Sequence, residues 1–313
     1  MTHISVLLLL LGTSSAYTYQ NVALRGKATQ SDRHGDNYGA AYNAIDGNRE
    51  SNYFAGSCTL TVEMTNPWWR VDLLESYIVT SIIITNRGDC CPKRLNGAEI
   101  HIGNSLQDNG AANPVAAVIP HIPVGRSLKI TFTGLVEGRF VTVVLPGLKR
   151  ILTLCEVEVY GYRSPTEENL AIQGKAAQSS VYQAFDAYKA IDGNRDSMSS
   201  STADGSCSVT DTDFNPWWRL TLPKTHKVFS VKITNRNEYH ERLNGAEIRI
   251  GDSLVNNGAD NPRFAVITRI PAGETVEFQV SNGMDGRYVY IGIPGREEFL
   301  TLCEVEVFGS ALD

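Results

Sequence analysis

Short runs in which apolar and polar residues alternate recur along the whole chain. The clearest are 79–85 (VTSIIIT), 98–102 (AEIHI), 127–132 (SLKITF), 141–144 (VTVV) and 155–159 (CEVEV). A period of two puts one face of a segment against a core and the other in water, so each run predicts a half-buried β-strand. Asn96-Gly97, Asn109-Gly110, Asn113-Pro114 and Pro146-Gly147 separate the runs with turn chemistry. Few windows carry apolar residues at helical spacing. The pattern predicts an all-β fold of the sandwich type, in which binding residues gather on loops at one end.

The pattern occurs twice. Asn21-Val-Ala-Leu-Arg-Gly-Lys-Ala-Thr-Gln-Ser returns at Asn169, Ala44-Ile-Asp-Gly-Asn-Arg at Ala190, Asn66-Pro-Trp-Trp-Arg at Asn215, Arg94-Leu-Asn-Gly-Ala-Glu-Ile at Arg242 and Leu152-Thr-Leu-Cys-Glu-Val-Glu-Val at Leu300. The offset is far longer than the roughly 20 to 50 residues of a solenoid repeat, so it marks a duplicated domain. Two tandem β-sandwiches are expected, at 20–162 and 169–310, joined by the polar linker 163–168. Residues 1–16, with five leucines in a row before Gly-Thr-Ser-Ser-Ala, read as a secretory signal that is too short to anchor in a membrane. Each Trp-Trp pair is read as one core indole beside an exposed one.

Export places the six cysteines in an oxidising compartment, where pairing is the default. The second copy holds only Cys207 and Cys303, so pairing within the domain joins them and, by analogy, Cys58 to Cys155. Cys90 and Cys91 remain, adjacent in sequence; they are either a strained disulfide or two free or intermolecular thiols. The net charge of −6, with no Lys/Arg run, argues against a nucleic-acid partner or membrane insertion.

No histidine has a histidine counterpart: His101 faces Arg249, His121 faces Arg269 and His226 faces Tyr77. A shared histidine-based active site is thereby excluded. Arg87 and Arg94 do recur, as Arg236 and Arg242, at the two ends of a short loop. Asp89, or Glu238 in the second copy, is placed to hold both guanidinium groups, and fixed guanidinium groups suit ligand oxygens without proton transfer. The tripeptide Arg87-Gly-Asp89 also spells an integrin-like signal, not favoured because the second copy reads Arg-Asn-Glu. A glycosidase would need two carboxylates roughly 5 to 10 Å apart; Glu156 and Glu158, taken to lie on alternate faces of a strand, disfavour it. A discoidin-like adhesion module or a glycosidase accessory domain is the alternative. Ala44-Ile-Asp-Gly-Asn48 and its repeat offer hard oxygens on a tight turn, as a calcium ion requires.

The run Thr85-Asn-Arg-Gly-Asp-Cys-Cys-Pro-Lys-Arg-Leu-Asn-Gly-Ala-Glu-Ile100, with Asn66-Pro-Trp-Trp-Arg before it and Leu154-Cys-Glu-Val-Glu-Val159 after it, resembles the F-type lectins, or fucolectins. The resemblance covers nearly all of residues 20–310 and implies secreted, non-enzymatic jelly-roll domains that bind terminal fucose on cell-surface glycans in innate recognition or agglutination, with homo-oligomerisation left open. It implies a sugar site at Arg87, Asp89 and Arg94, with Cys90-Cys91 as a vicinal disulfide under the sugar ring. The family's histidine falls on Leu60 and, in the second copy, on Val209. Arg236, Glu238, Tyr239 and Arg242 form the second site, Tyr239 and His240 standing in the region of the disulfide. These departures imply weaker fucose affinity or an altered sugar preference, with the better site in the first copy. The resemblance also implies a structural calcium ion in each domain, held by side chains of Asp46, Ser57 and Glu156 with carbonyls of Asn43, Asn48 and Cys155, and by Asp192, Ser206 and Glu304 with carbonyls of Lys189, Asn194 and Cys303.

Overall fold

The structure, a computed structural model of the chain, describes residues 19–35, 37–197 and 205–312; the segment read as a secretory signal lies outside the described residues. Each half is organised around one strand of 18 residues, Trp68–Thr85 in the first and Trp217–Thr234 in the second. Along the first part of Trp68–Thr85, Trp69, Val71 and Leu73 are buried while Arg70 and Asp72 stay partly exposed on the other face. The pairing register breaks between Asp72 and Tyr77 and again between Val79 and Ser81. Its first part pairs with Lys27–Gln30 and Glu137–Val144; from Tyr77 on it pairs with Glu156–Arg163 and, from Ser81, with Ser127–Thr131, Tyr77 and Ile78 still touching the start of Glu137–Val144. Such irregularities let a strand bend from one layer of a sandwich into the other. Alternation at 79–85 marks only the second part of this element.

Glu99–Gly103 continues the ladder beyond Glu137–Val144, and Val115–Val118 forms its edge. The second half repeats this order, with Thr275–Gly292 doing in one strand what Ser127–Thr131 and Glu137–Val144 do in two. The architecture is therefore all-β, two sandwiches in tandem, each with its own core: one built from residues between Val22 and Val159, the other from residues between Ala171 and Val307. Trp69 and Trp218 are the largest fully buried side chains. Their indole N–H groups donate to the carbonyls of Ala41 and Ala187 at 2.9 and 3.0 Å, so the polar handle of each core indole is satisfied. Trp68 and Trp217 are only half-buried and lie beside Arg70 and Arg219, as the paired-tryptophan pattern predicts.

Disulfides join Cys58 to Cys155 and Cys207 to Cys303, tying the loop ahead of each long strand to the start of the last one. Cys90 and Cys91 also pair, which resolves the choice left open by their adjacency. Contrary to the expectation from sequence, the two strand glutamates do not lie on alternate faces. Glu156 and Glu158 lie two residues apart on Glu156–Arg163 and so share a face, because successive side chains alternate. Glu158 is nevertheless committed to Arg49 and to the Tyr160 hydroxyl, and is not presented to a ligand.

The halves meet at a small seam. Ile78 and Tyr162 of the first pack with Leu312 and Phe229 of the second, the Tyr162 and Phe229 rings 5.9 Å apart. The Lys227 ammonium sits over Tyr162 at 5.3 Å and is held by Asp285 at 2.8 Å.

Candidate functional site

In each domain the loop after the long strand is anchored at its base by a buried asparagine that sequence reasoning missed. Asn86 donates to the carbonyls of Pro92 and Ile122 at 3.0 and 2.8 Å and accepts the Arg87 amide at 2.9 Å. Asn235 repeats all three bonds, with His240, Ile270 and Arg236. Recurrence of Thr-Asn-Arg at Thr85 and Thr234 was the available signal.

On that base the first domain fixes Arg87. Its side chain is almost fully buried; Nε donates to Asp89 Oδ1 at 3.0 Å and Nη2 to Oδ2 at 2.6 Å. Asp89 Oδ1 also accepts the Tyr53 amide at 2.8 Å, and the guanidinium lies over the Tyr53 ring at 4.3 Å. The hydrogen bonds from Arg87 hold the Asp89 carboxyl below its ordinary pKa, against the opposing effect of burial. This bidentate ion pair also buries the arginine of the Arg-Gly-Asp tripeptide, so that sequence is not displayed as an adhesion signal. Arg94 comes down from its ordinary value through burial first and the neighbouring Arg87 charge second. Among the described residues its guanidinium has no carboxylate partner, which corrects the expectation that Asp89 holds both arginines. Asp89 is thus spent on Arg87 alone, and the unpaired Arg94 leaves the locality rich in hydrogen-bond donors.

Cys91 stands at φ +58 and caps the short 3-10 turn Pro92–Leu95. Tyr239 takes the same place in the second domain, at φ +53 ahead of His240–Leu243. The residue missing from the second loop is therefore the counterpart of Cys90, and Tyr239 replaces Cys91. Its exposed ring lies 5.2 Å from the Arg236 guanidinium and 4.5 Å from that of Arg242, so an aromatic surface stands where the first domain has its disulfide. Glu238 is exposed and holds no hydrogen bond from Arg236, unlike Asp89. Arg242 is engaged instead by Glu298 at 3.4 Å and by the Phe299 ring at 4.8 Å, a pairing the sequence reading did not anticipate.

Leu60 is not on the loop surface. It is 7% exposed and packs with Tyr53 and the Cys58–Cys155 bridge, while Val209 is buried at the equivalent point. Both are apolar side chains that the core absorbs. Outside Leu60 an aromatic cluster forms, with Tyr53 at 6.0 Å from Tyr38 and 5.6 Å from Phe54.

The second constellation surrounds Glu156 and Glu304. Glu156 Oε1 accepts the amide of Gly47, whose φ of +82 suits glycine, while Oε2 is buried with no hydrogen-bond partner. Glu304 repeats both features with Gly193. Burial, reinforced by the Asp46 charge, pushes the Glu156 carboxyl up to about 8. Burial also pushes Glu304 up to about 8, with the Asp192 charge adding to it. Asp46 and Asp192 further accept the amides of Asn48 and Asn194. Ser57 and Ser206 donate to the carbonyls of Glu50 and Asp196, leaving their oxygens able to act as donors to a metal. The Asn43 side chain donates to the Cys58 carbonyl and that of Lys189 to the Gly205 carbonyl at 2.7 Å, so neither side chain is itself aimed at the carboxylates. An orphaned buried carboxylate oxygen beside a second carboxylate in both copies fits a hard cation with oxygen ligands. Among the described residues no three His, Cys, Asp or Glu side chains converge, so such an ion would draw heavily on carbonyls, Cys155 and Cys303 included.

Against known proteins, the family model described as "NedA-like, galactose-binding domain" matches residues 43–143 and 189–291, once in each half. Fucolectin-4 of Anguilla japonica is 53% identical over 146 residues, 46% of this chain and 80% of that protein. Fucolectin of Anguilla anguilla is 51% identical over 146 residues, 46% of this chain and 92% of its own length. The crystal structure of an F-lectin (fucolectin) from striped bass (Morone saxatilis) serum is 68% identical, covers 95% of this chain and 100% of that one, and superposes with a TM-score of 0.89. The eel proteins match a stretch the length of one half, the family model matches both halves, and the striped bass protein is similar along nearly the whole length, so the chain belongs to the fucolectin, or F-type lectin, family.

Proposed function

We propose that each half is a carbohydrate-binding domain for terminal L-fucose or a related sugar, with the first domain the stronger site. The observation that carries this is the Arg87–Asp89–Tyr53 assembly: a guanidinium fixed from below, beside the uncommitted donors of Arg94 and next to the Cys90–Cys91 disulfide. A neutral sugar presents ring and hydroxyl oxygens as acceptors and an apolar face, and this surface supplies donors and a sulfur platform for them. The names of the eel and striped bass relatives support fucose as the sugar. Donors fixed without a proton-transfer partner suit recognition, and the lectin names of the relatives support a protein that acts by binding. A structural calcium ion in each domain, held by the Asp46–Glu156 and Asp192–Glu304 groups, would set the loop that carries Tyr53. Its targets are fucosylated glycans on cell surfaces, its location extracellular, and its use innate recognition or agglutination; two domains on one chain raise avidity by effective concentration.

A glycan array run on the wild type and on Arg87→Ala, Arg236→Ala and the double variant, with and without chelator, tests the assignment. Fucosylated glycans should dominate for the wild type, Arg87→Ala should lose most of the signal, and chelator should weaken all proteins. Undiminished binding by the double variant overturns the site.

A further inference from the structure

Next to the first sugar loop lies a cavity of about 430 Å³, and its cations point to a second class of ligand group. Lys93, Arg94, Lys149 and Arg150 line it, Leu145 and Ile151 add apolar surface, and Glu63 contributes a carboxylate. Among the described residues, none of the four basic side chains has a hydrogen-bond or ion-pair partner, and Arg150 Nε is buried without one. Glu63 does not bridge to any of them. Cationic side chains that converge on one concavity without a matching carboxylate attract an anion.

The second domain reverses this charge. The residues equivalent to Lys93, Lys149 and Arg150 are Glu241, Glu297 and Glu298. Glu298 engages Arg242, and Arg296 donates across the same space to the carbonyls of Arg242 and Asn244 at 2.7 and 2.9 Å. Duplicated loops of the same backbone design thus carry three positive charges on one flank and three negative charges on the other.

We propose that the Lys93–Arg150 cavity is an anion subsite that takes a sulfate or carboxylate group carried by the sugar next to the fucose, and that the second domain selects against such glycans. Cys91 and Arg94 belong both to the sugar loop and to the cavity wall, so a group one linkage from the bound sugar reaches it. The inference rests on the sugar-site reading above.

The test uses the full chain carrying Arg236→Ala, which silences the second site. Affinity is measured for a neutral fucosylated lactosamine oligosaccharide, for its sulfated and its sialylated counterparts, and for the sulfated oligosaccharide without fucose. At low salt the anionic fucosylated probes should bind about tenfold tighter than the neutral one, and the gap should close at high salt. Whichever of the two binds more tightly identifies the source of the anion. The Lys93→Glu, Lys149→Glu, Arg150→Glu variant, which copies the second domain, should abolish or invert the gap while keeping neutral affinity. If that variant fails to bind the neutral probe, Lys149→Glu alone, at an exposed position, gives the same comparison with a smaller change. Equal affinity for neutral and anionic fucosides, or a gap that survives charge reversal, overturns the subsite alone. Failure to bind the neutral fucoside, or equal binding of the unfucosylated sulfated probe, overturns the sugar-site reading and the subsite with it.

Discussion

Asp89 grips Arg87 through two near-parallel hydrogen bonds while accepting the Tyr53 amide, so one carboxylate ties the loop 87–94 to the loop that carries Tyr53. Replacing it by alanine leaves a nearly buried guanidinium unpaired, a loss of about 1 to 3 kcal/mol. Asp89→Ala should lower fucoside affinity at least tenfold and reduce Tm, both read by titration calorimetry and thermal melts. Glu238→Ala in the second domain should change both far less, because Glu238 is exposed and accepts no hydrogen bond from Arg236, acting on it only through its charge.

The same pair sets the acid limit of binding. The folded-state pKa of Asp89 lies below its ordinary 3.8, so the stabilisation is fully present above that value and is lost as pH falls through the depressed one. Binding to a fucosylated surface should therefore persist at pH 4.5, still hold at the ordinary carboxyl value of 3.8, and be lost only as pH falls further, through the depressed one. Loss of first-domain binding already between pH 5 and 6 would assign the clamp to another group.

Cys91 and Tyr239 share a left-handed backbone at the cap of the same turn, with and without a disulfide. The bridge is thus not what holds the loop. Cys90→Ser with Cys91→Ser should leave Tm within a few degrees of the wild type, since Asn86 still anchors the base, while first-site affinity drops several-fold from loss of the platform. A collapse of Tm would show that the disulfide carries the loop after all.

Glu156→Gln keeps an acceptor for the Gly47 amide but removes the charge that a cation would neutralise. Calcium should raise the Tm of the wild type, as ligand binding to the folded state requires, and the increment should shrink in Glu156→Gln and vanish when Glu304→Gln is added. An unchanged increment in the double variant would place the ion elsewhere.

Arg242, a proposed sugar-site residue, is engaged by the carboxylate of Glu298. Glu298→Ala, in an Arg87→Ala background, should free its donors and strengthen second-domain fucoside binding several-fold. Weaker binding would mean that Glu298 positions Arg242 for the sugar.

Local pattern and internal repetition made much of this molecule readable. Alternation identified strands, duplication identified two domains, and counting cysteines in the poorer copy identified the long-range bridges. What escaped was set by neighbours distant in sequence. Residues 68–72 carry Arg70 and Asp72 on the partly exposed face of a long strand, and their pairing with Lys27–Gln30 is invisible in a short window. Arg242 meets Glu298 only because the 55 intervening residues fold back, and the first copy, with Arg150 at that position, gave no hint. Leu60 could be aligned with a family position, but alignment says nothing about whether an apolar side chain there turns inward.

The seam of Tyr162, Phe229 and Leu312, with Lys227 pinned across it, joins the halves by contacts other than the connecting segment. If that seam holds the two halves at one separation, binding to a surface should peak where the spacing of its fucose ends matches it, which arrays printed at graded ligand density would read.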